Sequence, residues 1–202
     1  MDEGYIKFHA EHIPAPPLPE NLCRPVISVR QKLFEMGLIG AYPDGIGFGN
    51  VSRRLEGEQF LITASATGNL PRISPTHLSK VLEVVPERNY LKCTGPRIAS
   101  SESMSHAAVY RQSPRTNGVI HVHHFEWWEK LLYKVPTTPP HIAYGTPEMA
   151  RAIADLFDQT EVARIRLFAL AGHREGIFAF GPTLEAAFRT LQAHYTAAGF
   201  GQ

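Results

Sequence analysis

The run GVIHVHH, residues 118–124, constrains this chain more than any other stretch. Its apolar residues read as a strand, and in an extended backbone side chains alternate between the two faces. His121 and His123 therefore share a side, while His124 points elsewhere or opens a turn. An aliphatic side chain would fill such a position more cheaply than an imidazole. Two imidazoles together are either ligands of a divalent cation or ordinary strand histidines, and a catalytic cation would need a third donor and an exchangeable position.

The surroundings of that strand fix the scale of the molecule. A chain of 202 residues suits one domain with a single substantial interior. Its 20 Lys and Arg nearly balance its 19 Asp and Glu, which leaves no global charge to attract nucleic acid or an anionic membrane. Cys23 and Cys93 are too few for a disulfide framework and lack CxxC spacing, which points to a reduced compartment. The start, MDEGYIKFHAEH, has no basic segment followed by an apolar run, and no stretch reaches membrane-spanning length. A soluble cytoplasmic protein is the expectation.

Residues 1–24 contain PAPPLPE, which predicts an extended proline-rich lead before a domain over 25–202. From Pro25 the spacing of Val26, Val29, Leu33 and Met36 predicts a helix that stops at Gly37. The glycine-rich segment 42–65 predicts a loop followed by a hairpin reversing at Glu56-Gly57-Glu58. Ser74 and Pro75 suggest a helix start with Leu78, Val81 and Leu82 facing inward, followed by a short strand at YLKC. Further helices are expected after Ser100 and Ser101, after the cap and proline pair Thr146-Pro147, and over PTLEAAFRTLQAHYTAAG. Strands are expected in RLFALAG and EGIFAFG, joined at His173. The sum is an α/β domain with helices packed against a largely antiparallel sheet.

His173, at the turn between two strands, is the best third donor, with an ordinary hydrogen-bonding turn histidine as the alternative. Glu102 stands at a helix start behind two serines as a possible fourth ligand or proton carrier. It has a specific competing explanation, since His106 lies four residues on and could pair with it on the helix. Asn50, Thr67, Gly68, Ser100 and Ser101 could receive an anion through hydroxyls and turn N–H groups, or could simply close turns and cap a helix. Trp127 and Trp128 could close a pocket or an oligomer interface, or Trp128 could pack a short amphipathic helix with Leu131 and Leu132.

Taken in order, GFGNVSRR, FLITASATGN, SSESMSHAAVYRQSP, GVIHVHH, YGTPEMARAI and GHREGIFAFGPTLEAAF resemble the class II aldolase and adducin family, over roughly residues 25–198. Within that family it resembles bacterial L-fuculose-phosphate aldolase-like enzymes. That resemblance implies a three-layer α/β domain with a central, largely antiparallel sheet flanked by helices. It implies a zinc or other divalent ion on His121, His123 and His173, with Glu102 as acid/base. It implies a phosphate site at Asn50, Thr67, Gly68, Ser100 and Ser101, and a homo-oligomer, with a tetramer favoured. The implied chemistry is aldol cleavage or condensation of a small sugar phosphate through a metal-stabilised enediolate. Epimerase, methylthioribulose-phosphate dehydratase and decarboxylase activities share the framework. A noncatalytic adducin-like module with a structural metal is the rival class.

Three segments depart from the family pattern. TASATGN is longer than the compact threonine-glycine loop, and GHREG inserts residues between the histidine and its glycine. EWWEKLLYKVPTTPPH replaces a glycine-rich loop.

Overall fold

The computed structural model describes residues 5–201. A nine-stranded sheet runs through the molecule, and helices cover both of its faces. In chain order the elements begin with β1 (His9–Pro14), α1 (Glu20–Glu35) and the short strands β2 (Gly40–Ala41) and β3 (Gly47–Phe48). There follow β4 (Asn50–Arg54), β5 (Phe60–Thr63), β6 (Leu78–Val85) and β7 (Tyr90–Gly95). Next come α2 (Ser103–Gln112), β8 (Gly118–His123), α3 (Phe125–Leu131) and β9 (Thr137–Thr138). The chain ends with α4 (Pro147–Gln159), α5 (Val162–Ile165), β10 (Leu167–Leu170), β11 (Gly176–Gly181) and α6 (Leu184–Ala197).

The strand order is β1-β7-β6-β5-β4-β8-β11-β10-β9, while β2 and β3 form a separate ribbon. Among the described residues only the two edge strands pair in parallel, β1 with β7 and β9 with β10. The other pairings are antiparallel. One apolar layer joins Met104, Val109 and Tyr110 of α2 to Met149, Ile153 and Leu156 of α4, over Val119, Phe178 and Phe180 of the sheet. The opposite layer joins Val26 and Leu33 of α1, Trp127 of α3 and Leu191 of α6, over Ile120, Val122 and Ile177. Strand alternation on β8 thus sends Val119 to one interior and Ile120 to the other, which makes the three-layer arrangement that the family resemblance implies.

Two elements differ from the sequence expectation. The stretch after Ser74 and Pro75 is not a helix: a single 3-10 turn, Pro75–His77, leads into the strand β6. Leu78 packs into one interior and Val81 and Val84 into the other, across a register irregularity between Val81 and Glu83, so buried positions drawn from both faces imitate helical spacing. Helix α1 begins at Glu20, with the N–H groups of Leu22 and Cys23 bonded to the Pro19 carbonyl, so Pro25 lies inside the helix. The ring removes one backbone bond there, while Cys23, Val26, Val29 and Leu33 still bury one face. Part of the proline-rich lead is itself a sheet edge, since β1 pairs with β7 from His9 to Pro14.

The sheet and α6 meet at Gly118. A Cβ there would stand 2.5 Å from the Leu184 Cα and 2.6 Å from its nitrogen, both backbone atoms that cannot rotate away. Gly118→Ala is expected to lower stability by roughly 1–3 kcal/mol, the usual cost of overpacking. Urea denaturation measures this, and an unshifted midpoint would contradict the close approach.

Candidate metal centre

Strand alternation and one tight turn assemble the centre. His121 and His123 leave β8 on the same side, with their Nε2 atoms 3.0 Å apart. His173 sits in the turn between β10 and β11, where its carbonyl accepts from the Gly176 N–H at 2.9 Å. A Cβ at Gly176 would lie 3.1 Å from the His121 ring and 3.2 Å from that of His173, so a glycine leaves both rings room. One donor atom from each of the three histidines lies within 4.8 Å of the others. His124, as its spacing suggested, turns away and caps α3 by accepting the Trp127 N–H.

All three rings are buried, with exposures of 1% for His121, 3% for His123 and 6% for His173. Burial holds the pKa of His121 and His123 well below the ordinary imidazole range, and the neighbouring imidazoles add to the effect. That of His173 is pushed down to about 3 by burial, with the Lys7 ammonium adding to it. Neutral imidazoles keep the lone pair a metal needs. His173 Nδ1 stands 3.6 Å from Glu102 Oε1, but a neutral ring at that distance makes no ion pair.

The hydrogen bonds decide where those lone pairs lie. His121 Nδ1 meets the Ile177 carbonyl at 3.2 Å, and a carbonyl only accepts, so the proton is on Nδ1 and the lone pair on Nε2. Tyr42 donates its hydroxyl hydrogen to Glu175 Oε2 at 3.0 Å, so its oxygen accepts from His123 Nδ1 at 2.9 Å. The His123 lone pair is then also on Nε2. Two lone pairs facing each other at 3.0 Å repel unless a cation or an extra proton lies between them, and burial disfavours the proton. A divalent ion with bonds of about 2.0–2.1 Å to imidazole reaches both nitrogens, so the residues present fit a metal.

Glu102 lies just before α2, with 3% exposure, and its Oε2 accepts from the Ser105 hydroxyl at 3.0 Å. The expected alternative pairing with His106 is not made. His106 donates from Nε2 to Asn50 Oδ1 at 2.6 Å, and its Nδ1 lies 2.6 Å from Ser52 Oγ, which is 2.7 Å from the Tyr110 hydroxyl. An amide oxygen can only accept, so this chain fixes the Asn50 carboxamide and leaves its NH2 for the cavity that Asn50 lines.

Thr67, Gly68, Ser100 and Ser101 line the same cavity as Asn50, Glu102 and the three histidines. Two of their hydroxyls also brace local turns, Thr67 Oγ1 donating to Ala64 and Ser100 Oγ accepting the Glu102 N–H. A bridge between Ala64 and Ala99 sets the two loops side by side. Behind them the buried Arg30 guanidinium donates to the carbonyls of Thr67 at 3.0 Å and Gly68 at 2.9 Å. Gly68 tolerates no side chain, since a Cβ would stand 2.4 Å from the Gly40 oxygen.

Sequence reading missed Arg30, Tyr42 and Glu175, and also Tyr144, whose ring stacks on His173 at 4.5 Å beneath the Lys7 ammonium. The extra residues after His173 were the available signal for Glu175. The tryptophans are part of the packing: Trp127 is buried, Trp128 donates to the Leu170 carbonyl, and neither lines the cavity.

Residues 43–127 match the family described as Class II Aldolase and Adducin N-terminal domain. No curated protein sequence matches the chain. Among solved structures, an L-fuculose 1-phosphate aldolase is 21% identical, with a TM-score of 0.65 over 92% of this chain and 90% of its own. YgbL from Escherichia coli is 21% identical, with a TM-score of 0.65 over 89% of this chain and 87% of its own. A sugar-phosphate aldolase from Thermotoga maritima is 17% identical, with a TM-score of 0.64 over 89% of this chain and 92% of its own. At these identities the likeness speaks for the fold. Residues 43–127 thus match that family by sequence, and the fold of the chain is the one found in class II aldolase structures.

Proposed function

We propose that the chain is a divalent-metal-dependent lyase for aldol cleavage and condensation of a small sugar phosphate, with zinc on His121, His123 and His173. One observation carries the reading: three buried, neutral imidazoles converge beside the Glu102 carboxyl group in a polar cavity. Among the described residues three histidines converge, and three protein donors with an open position mark a catalytic site, whereas structural zinc takes four. This favours an enzyme over an adducin-like scaffold.

When bound, the cation supplies Lewis-acid charge for the oxygens of the reacting carbonyl compound. Glu102, with one oxygen fixed by Ser105, moves the proton at the carbon whose bond is made or broken. The Asn50 NH2, held by His106, joins Thr67, Gly68, Ser100 and Ser101 in receiving the phosphate, and Arg30 stiffens that cradle from behind. The reading carries with it a homo-oligomer, four subunits by resemblance, which light scattering reads directly.

Phosphorus NMR of the zinc-loaded protein with a panel of ketose 1-phosphates tests the reaction. Fragmentation into a triose phosphate and an aldehyde is expected. Isomerisation without fragmentation, or loss of water, would move the assignment to the epimerase or dehydratase branch. No conversion of any member would sink the enzymatic reading.

A further inference from the structure

The Tyr42–Glu175 pair does no work in the mechanism above, and its geometry is costly to maintain. Glu175 is held at φ 73°, in the left-handed region that side chains other than glycine rarely adopt. Its carboxylate accepts from the Tyr42 hydroxyl at 3.0 Å, and Tyr42 in turn reaches His123 Nδ1 at 2.9 Å. The two partners lie 133 residues apart in sequence, Tyr42 just after the ribbon strand β2 and Glu175 in the turn that carries His173. A backbone bond from the His124 N–H to the Glu175 carbonyl, 3.2 Å long, ties that turn to the end of β8. Phe48 stacks on the other side of His123 at 5.5 Å, so the ring is gripped on its face as well as at its edge.

We propose that Tyr42 and Glu175 form a positioning relay that holds His123 in its Nε2-ligating tautomer and passes carboxylate charge to it through the phenol. The inference rests on the metal-site reading given above. Residues that orient a ligating imidazole and raise its basicity change metal affinity by about 10–100-fold when removed. The strained turn supports this role. A left-handed glutamate is maintained against a conformational cost that glycine would escape, and its position between His173 and Gly176 lets one turn contribute both a ligand and the carboxylate that orients another.

Three variants test it: Tyr42→Phe, Glu175→Gln and Glu175→Gly. Their readouts are zinc affinity by chelator competition, the visible spectrum of the cobalt-substituted protein, and the melting temperature of the metal-free chain. Tyr42→Phe and Glu175→Gln are each expected to weaken zinc about 10–100-fold and to alter the cobalt spectrum, with little change in metal-free melting. The double variant Tyr42→Phe/Glu175→Gln should bind no more weakly than Tyr42→Phe alone, because the carboxylate acts through the phenol.

Glu175→Gly separates a functional role from a structural one. It should raise metal-free melting by relieving the left-handed strain and at the same time weaken zinc. Melting and affinity falling together would make Glu175 a purely structural residue and overturn the relay. So would unchanged affinity in Tyr42→Phe, or additive losses in the double variant. A wild-type chain that binds no divalent metal would instead overturn the metal reading itself, and the relay with it.

Discussion

Glu102→Gln is expected to lower turnover of the metal-loaded protein about 10²–10⁴-fold, the range for removing a positioned acid or base. The substitution keeps the size of the side chain, and its amide oxygen can still accept from Ser105, so the start of α2 should stand. What it removes is the exchangeable proton. The expected signature is therefore a fall in kcat with metal content and melting temperature close to wild type, read by steady-state kinetics beside metal analysis. Full turnover in Glu102→Gln would exclude this carboxyl group as the proton carrier. Loss of metal along with activity would recast Glu102 as a ligand.

Acidification is expected to unfold the metal-free chain steeply. His106, His121, His123 and His173 are buried, and burial sets their pKa values below the ordinary 6.5. An unfolded chain would protonate all four as the pH drops through about 6.5. Between that value and the native pKa, about 3 for His173, the unfolded state binds more protons, so stability falls as the pH falls. Below the native pKa a ring contributes no further loss. Each ring adds a slope of about 1.4 kcal/mol per pH unit once the unfolded chain is protonated. Four such rings titrating together make a steep loss against a typical stability of about 5–15 kcal/mol. Urea midpoints of chelator-treated protein between pH 8 and pH 4 measure this. A flat profile would show that the rings are hydrated in the native state.

Much of the fold was legible because individual segments carried their own signals. Thr146 and Pro147 announce α4, Thr183 caps α6 at the start of its periodic run, and the reversal at Gly57 sets the β4–β5 hairpin. The strand β6 was not legible, because it buries apolar residues on both faces and shifts register after Val81, so their spacing mimics a helix. At the site, His121 and His123 could be paired from strand alternation alone, whereas their meeting with His173 depends on the β8–β11 pairing. Glu102 had a plausible local partner in His106, and only the pairing of β4 with β8 shows that Asn50 and Ser52 engage that ring instead. Arg30, Tyr42 and Glu175 act across long sequence separations, and no local pattern encodes such a contact.

The three imidazoles come from parts of unequal rigidity. Two ride on β8, which has hydrogen-bonded neighbours on both sides, and the third hangs on a five-residue corner between β10 and β11. If the proposed cation is bound there, remodelling that corner would retune which ion is preferred, or how tightly it is gripped, while the interior strand stays intact. The adaptable portion of the chemistry is thereby kept apart from the part that must not yield.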